Sequence, residues 1–362
     1  MNKGRILAAM SGGIDSSVAA LLLARDGWDV IGISMDLHES PEAPRKRDAA
    51  GCSVDNLYDA RRVCDLLGIP YYVLNLREEF RREVIDPFMK EYRSGRTPNP
   101  CVLCNEHLKF RALLRKADEL GAIGVATGHY AVIRREPDGR CRLFAAPDAS
   151  KDQSYFLYSL DSGRLHRILF PVGEMSKKQV REIASDAGLP VHQKKESQDI
   201  CFVSDESYAM FMKRNGIREE KGRFTDLEGN FLGEHKGIVH YTIGQRKGLG
   251  ISSREPLYVM SIDAEKNEVV LGPQSGTFSD GAVVAHPSFV AGAPPAEEFR
   301  AIARIRYRHP GAPCTVRVAG DRLDAKFDKP QQSVTPGQAL VLYQEDEVLG
   351  GGRIECAGAF QS

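Results

Sequence analysis

The stretch Ala8-Ala9-Met10-Ser11-Gly12-Gly13-Ile14-Asp15-Ser16-Ser17 joins a short apolar run, Ile6 to Met10, to an amphipathic segment, Ser17 to Arg25. A strand, paired glycines and then a helix make a turn suited to phosphate. The glycines permit a tight backbone turn whose N–H groups point inward, and the following helix presents its positive end to an anion. The loop lacks the Gly-Lys-Ser/Thr ending of a Walker loop, so a triphosphate gripped by a loop lysine is not expected. The alternative is a tight strand-to-helix turn that binds nothing.

The alternation continues outward from this loop. Val30 to Met35, Tyr71 to Leu76 and Ile123 to Ala126 read as strands, and Asn56 to Leu67, Glu78 to Tyr92 and Glu106 to Leu120 as helices. That pattern predicts an α/β fold with a doubly wound parallel sheet, whose ligands sit at the carboxyl ends of the strands. Ser176-Lys177-Lys178-Gln179 fits a capping box ahead of a helix ending near Gly188, which extends the first domain over residues 1–205. Asp205 to Asn215 reads as a lone helix, followed by glycine-rich short segments, and predicts a small central domain over 206–255. From Leu257 onward, strands such as Leu257 to Ile262, Glu268 to Leu271, Cys314 to Val318 and Ala339 to Tyr343 alternate with turn residues. They read as a small β-barrel or sandwich, and a C-terminal β-barrel over 256–362 is expected.

Composition bounds the function. With 42% hydrophobic and 27% charged residues and no apolar run of spanning length, the 362-residue chain reads as soluble and free of membrane partners. The start, Met1-Asn2-Lys3-Gly4-Arg5, shows no signal-peptide cleavage pattern, so a cytoplasmic location is expected. Basic and acidic residues balance at 49 each, so any nucleic-acid footprint must be local. Eight cysteines in such a chain do not suggest a disulfide framework, and their spacing matters more than their number. Cys52, Cys64, Cys141, Cys314 and Cys356 stand alone among ordinary neighbours. Cys101 and Cys104 instead share a proline-stiffened loop, Thr97-Pro98-Asn99-Pro100-Cys101-Val102-Leu103-Cys104-Asn105, ahead of a helix whose N-terminus would favour the thiolate. Cys201 lies far downstream in Glu196-Ser197-Gln198-Asp199-Ile200-Cys201-Phe202.

Ser-Gly-Gly-x-Asp-Ser resembles the pyrophosphate loop of the ATP pyrophosphatases, which cut ATP between its α and β phosphates and adenylate an oxygen. Taken with Thr-Pro-Asn-Pro-x-x-x-Cys, Ser-Gln-Asp-Ile-Cys-Phe and Thr242-Ile243-Gly244-Gln245-Arg246-Lys247-Gly248-Leu249-Gly250, it resembles the tRNA-specific 2-thiouridylase family over nearly the whole chain. The resemblance implies an adenine nucleotide alpha hydrolase-like front domain and ATP-dependent 2-thiolation of a wobble uridine. ATP and Mg2+ would be required, with tRNA and a sulfur-donor protein or sulfide source as partners. It assigns Ala9, Met10, Ser11, Gly12, Gly13, Ile14, Asp15 and Ser16 to the nucleotide, with Asp15 contacting magnesium. Met35 would meet adenine through its backbone, and Gly128 would leave room for the nucleotide. Met35 otherwise reads as a core methionine.

The chemistry suits these residues. The C2 oxygen of uridine leaves poorly until AMP is attached to it, and a cysteine persulfide can then deliver sulfur as a nucleophile. By resemblance Cys201 carries the persulfide and Cys104 attacks or resolves it, leaving a Cys104–Cys201 disulfide to be reduced. Many family members have aspartate at the position of Cys101. The cysteine here makes a third thiol, so Cys101, Cys104 and Cys201 could hold a 4Fe-4S cluster with one open iron. Persulfide chemistry with Cys101 as bystander, zinc, and a stray disulfide stay open beside it.

The resemblance places Asn99, Pro100, Cys101, His129, Lys151, Asp152, Gln153, Arg306, Tyr307 and Gln338 at the tRNA. In Arg304-Ile305-Arg306-Tyr307-Arg308-His309 the arginines would share one face if the segment were a strand, and Tyr307 could stack on a base. The target base must leave its stack, and a mobile loop over 94–105 is expected to close on it. Rival readings are a pyrophosphate-loop ligase or amidotransferase, which has no use for placed thiols, and a non-catalytic RNA-binding protein that senses ATP.

Overall fold

The computed structural model describes residues 3–37, 54–194, 200–203, 208–217 and 219–358. Its first unit is a five-stranded parallel sheet in the spatial order Tyr71–Asn75, Asp29–Asp36, Arg5–Ala9, Val125–Ala126, Ile168–Leu169. Alternate residues of the central strand explain the two-sided winding. Ile6 and Ala8 pack with Val18 and Ala19 of the helix Ile14–Arg25, while Leu7 packs with Leu113, Leu114 and Ala117 on the other face. Strand order reverses between Arg5–Ala9 and Val125–Ala126, and the crevice beyond their carboxyl ends is where such a sheet holds a ligand.

The expected helix Glu78 to Tyr92 is broken into Arg77–Phe80, a wide π-type turn Arg81–Ile85 and Asp86–Arg93. The expected helix from Glu106 begins earlier, as Pro100–Leu103, and widens into a second π-type stretch, Cys104–Ala112. The thiol pair therefore lies within the helix and not in a loop ahead of it. The capping box forms at Ser176, whose hydroxyl accepts from the Gln179 N–H, and leads the helix Lys177–Asp186. The helix read over Asp205 to Asn215 spans Tyr208–Arg214, its expected start lying outside the described residues.

A four-stranded sheet pairs Tyr258–Asp263 and Glu268–Gly272 with Gly222–Thr225 and Phe231–His235. This pairing moves the expected division after residue 255, because two strands read as barrel complete the central sheet. The barrel closes with six strands: Phe278–Phe289 pairs with both Arg322–Gln332 and Glu347–Ala357. A hairpin of the front unit, Ala131–Arg135 with Cys141–Ala145, turns at Pro137-Asp138-Gly139 and extends the barrel sheet, through Leu143 opposite Val348. The front and rear units thus share a sheet, which fixes their relative position.

Candidate active site

The glycine loop leaves the central strand at Met10, whose carbonyl accepts a 2.6 Å bond from the buried Ser34 hydroxyl. Gly12 turns at φ +71°, and a side chain there would collide with the Asn56 backbone at 2.2 Å, so only glycine fits. The Ser16 hydroxyl knits the loop, accepting from the Ser11 N–H and donating to the Gly13 carbonyl, each at 3.1 Å. Among the described residues the Gly12 and Gly13 N–H groups meet no acceptor. Two free donors at the start of a helix are what a phosphate would satisfy.

Asp15, in the first turn of that helix, is held from two remote segments. Tyr130 donates its hydroxyl to Oδ1 at 2.7 Å, and Lys177 reaches both carboxylate oxygens at 2.7 and 2.8 Å. A second lysine, Lys194, donates to the Gly12 carbonyl at 3.0 Å and ties the loop to Asn56 and Asp59. Sequence reasoning missed both lysines, reading Lys177 only as part of a capping box. A signal existed: Lys177 and Lys178 open a helix with no acid in its first turn, against the helix dipole. A Cβ at Gly128 would stand 2.6 Å from the Asp15 carbonyl carbon and the Ser16 nitrogen, so Gly128 lets its loop touch the first turn of the helix Ile14–Arg25. Met35 is partly buried and packs between two core clusters.

Beside Tyr130 lies His129, buried against Phe110 and Phe170. Its Nδ1 is 2.7 Å from the Thr127 hydroxyl and its Nε2 3.4 Å from Lys109 Nζ. Burial, reinforced by the Lys109 ammonium, holds His129 well below its usual range, so the ring is neutral. The same lysine acts on both thiols of the helix. Burial pushes Cys101 up to about 11 and also raises Cys104, and Lys109 pulls each partway back. The thiolate expected from the helix terminus is therefore overruled by desolvation, in a helix of only four residues before its widening.

Cys201 is partly buried against the apolar cluster that contains Cys104, along with Phe80, Phe88 and Phe202. Ser197, Gln198 and Asp199 lie outside the described residues, as does Cys52. Cys64, Cys141 and Cys314 are buried and Cys356 is exposed. Among the described residues no three His, Cys, Asp or Glu side chains converge as metal ligands. No disulfide joins two of the described cysteines.

Several residues expected at the tRNA are engaged inside the protein. Asp152 is buried, paired to Arg304 at 2.8 Å, and accepts the N–H groups of Ala146 and Ser154. Gln153 grips Tyr130 twice, donating its N–H to the Tyr130 carbonyl and accepting the Tyr130 N–H at its side-chain oxygen. Lys151 is partly buried. Gln338 donates to the carbonyls of Thr97 and Pro98, and the Thr97 N–H donates to the Pro336 carbonyl. The segment read as a mobile lid is thereby tied at its start to the barrel.

The arginines do not share a strand face, because the strand Glu298–Arg304 ends at Arg304 and the chain turns there. Arg304 folds inward over Tyr343, while Arg306 is exposed and Tyr307 stacks at 4.6 Å on Phe156. Pro100 is buried, and Asn99 lines a cleft of about 470 Å³ between the helix Asp86–Arg93, the helix Pro100–Leu103 and the barrel.

Residues 4–205 match the family model described as tRNA methyl transferase HUP domain, 210–273 the tRNA methyl transferase PRC-barrel domain, and 279–354 the aminomethyltransferase beta-barrel domain. The chain is 50% identical over 360 residues to the tRNA-specific 2-thiouridylase MnmA of Geobacter metallireducens, covering 98% of this chain and 97% of that protein. It is 48% identical to the corresponding protein of Geotalea uraniireducens, covering 98% and 95%. It is 47% identical to MnmA 1 of Thermoanaerobacter pseudethanolicus, covering 97% and 98%.

Proposed function

The chain belongs to the tRNA-specific 2-thiouridylase family, and from that premise we infer that it is an ATP-dependent tRNA-uridine 2-sulfurtransferase whose two half-reactions meet at one loop. The family models carry methyl-transfer descriptions. A pyrophosphate-type loop beside paired thiols serves adenylation and sulfur delivery, and methyl transfer has use for neither.

The observation that carries this reading is a continuous line of contacts. Tyr130 bonds Asp15 of the glycine loop, and its neighbour His129 meets Lys109, the cation acting on Cys101 and Cys104. That line supports a phosphate-binding backbone and a sulfur nucleophile serving one crevice at the sheet's switch point. The wobble uridine presents its C2 oxygen to the α-phosphorus of ATP, that bond forms, and pyrophosphate leaves. Gly12 and Gly13 donate to the phosphates. Mg2+ would be held at the loop by Asp15 and would supply charge neutralisation for the phosphates. A persulfide on Cys201, formed by transfer from a persulfide-bearing donor protein or by sulfide attacking the Cys104–Cys201 disulfide at Cys201, attacks C2 through its outer sulfur, and AMP departs. The Cys104 thiolate then attacks the Cys201 sulfur, breaking its bond to the thiouridine sulfur and leaving a Cys104–Cys201 disulfide, which a two-electron thiol reductant reopens before a donor protein reloads Cys201.

The test separates the halves. With ATP and tRNA, the wild-type protein releases pyrophosphate and forms 2-thiouridine, detected by nucleoside mass spectrometry. Cys104→Ser and Cys201→Ser should keep pyrophosphate release and lose thiolation. Full thiolation by either variant would remove the thiol from its assigned step.

A further inference from the structure

Two clefts adjoin along the helix Asp86–Arg93, one of about 470 Å³ toward the barrel and one of about 240 Å³ toward Asn215. They share Asp86 and Lys90 as a common wall. Their linings carry five cationic side chains, Arg81, Arg82, Lys90, Arg93 and Arg353, against the two carboxylates Asp86 and Glu91. In a chain whose charges cancel overall, this is a local positive excess.

Part of that charge is already used inside the protein. Arg353 pairs with Glu91 at 3.0 Å, Arg82 with Glu83 at 3.1 Å, and Arg81 stands 3.7 Å from Asp86. Lys90 and Arg93 are exposed and have no carboxylate partner among the described residues. They lie one turn apart on the helix, so both project along the same side. A single solvated helix face would be convex. Here three separate segments bring their cations around a concave surface, the π-type turn Arg81–Ile85, the helix Asp86–Arg93 and the barrel strand Glu347–Ala357.

The groove also has a direction. At its barrel end it is lined by Pro98, Asn99, Val102 and Leu103, and the residue after Leu103 is the thiol Cys104. A polyanion laid along the cations would run to the four-residue helix that bears Cys101. We propose that this groove binds the sugar-phosphate backbone of the tRNA beside the target nucleotide, with Lys90 and Arg93 as its phosphate contacts. The proposal rests on the reading that tRNA is the substrate, and adds a backbone track on the front unit. Phosphate contacts set register and affinity without reading sequence, so the track would serve every tRNA the enzyme accepts.

The experiment measures tRNA affinity by fluorescence anisotropy across a salt series, for the wild-type chain, for Lys90→Gln/Arg93→Gln and for the charge-keeping Lys90→Arg/Arg93→Lys. The first variant should bind about tenfold more weakly at low salt and lower the slope of log affinity against log salt by about 1 to 2, the second close to wild type. Equal affinity and slope for wild type and the glutamine variant overturn the groove assignment while leaving the thiolase reading intact. Failure of the wild-type chain to bind tRNA overturns both. Normal tRNA binding by the glutamine variant, with loss of sulfur uptake from a protein donor and not from free sulfide, would make the groove a protein-docking surface and overturn the proposal.

Discussion

Lys177 closes on both carboxylate oxygens of Asp15, at 2.7 and 2.8 Å, across 162 positions of sequence. The lysine side chain is 11% exposed and the carboxylate 30%, so the pair is partly shielded from solvent and its charges are felt locally. Without the ammonium, the Asp15 carboxylate would face the incoming phosphates uncompensated. Lys177→Met is therefore expected to weaken ATP binding by about 10- to 100-fold, measured by calorimetry. Measured without Mg2+, which Asp15 would help to hold, Lys177→Met/Asp15→Asn should recover most of that loss, since neutralising both partners removes the repulsion. Additive losses would show that the pair is not coupled to nucleotide binding.

Gly128 marks the point where the loop after Val125–Ala126 touches the first turn after the glycine loop. A methyl group 2.6 Å from two backbone atoms forces one loop away from the other, and backbone atoms cannot swing aside as a long side chain can. Gly128→Ala should lower pyrophosphate release about 100-fold, the effect of a misplacement near 1 Å. The melting temperature should fall only modestly, because the contact lies beyond the carboxyl ends of the strands, outside the sheet core. Near-normal adenylation would mean that the two loops need not touch.

What could be read in advance follows the range of the interactions. The strand, glycine turn and helix of the loop are encoded within about ten residues by local pattern and backbone freedom, so both the element and its anion preference were legible. Tyr130, Lys177 and Lys194 reach the loop from 115, 162 and 182 positions away, and no local pattern carries that information. The barrel was visible from its alternation, yet the hairpin Ala131–Arg135 with Cys141–Ala145 joins it by pairing between units. Alternation misled at Arg304, Arg306 and Arg308. Period two predicts a shared face only while the strand lasts, and here Arg304 turns inward to Asp152 and ends it. The thiols misled for a related reason. A helix end favours the anion, but how deeply the helix is packed decides the outcome, and packing is a tertiary fact.

Those buried thiols give a pH signature. With Cys101 pushed up to about 11, its thiolate fraction near pH 7.5 is small, and iodoacetamide should alkylate it roughly a hundredfold more slowly than an unburied cysteine. The rate should climb as pH rises toward 11, followed by peptide mass spectrometry. Lys109 favours the thiolate of both Cys101 and Cys104, so Lys109→Met should move each profile to higher pH. Fast labelling of Cys101 at neutral pH would contradict this environment.

Gln338 ties the thiol-bearing segment to the barrel, donating to the Thr97 carbonyl at 3.0 Å and the Pro98 carbonyl at 3.2 Å. The Thr97 N–H adds a bond to Pro336, and Arg96 reaches the Ile354 carbonyl at 3.0 Å. Gly337 makes this approach feasible, since at φ +92° a side chain would sit 2.8 Å from the Thr97 oxygen. A lid that closes over tRNA would have to break these bonds first. Gln338→Ala should remove about 1–2 kcal/mol of that restraint and speed hydrogen exchange in residues 94–98, with exchange in the sheet core unchanged. If tRNA binding protects 94–98 equally in wild type and variant, the segment closes as a lid despite the tie. If wild-type exchange there is already slow and tRNA leaves it so, the segment is a fixed wall of the site, and the base must come to the thiols.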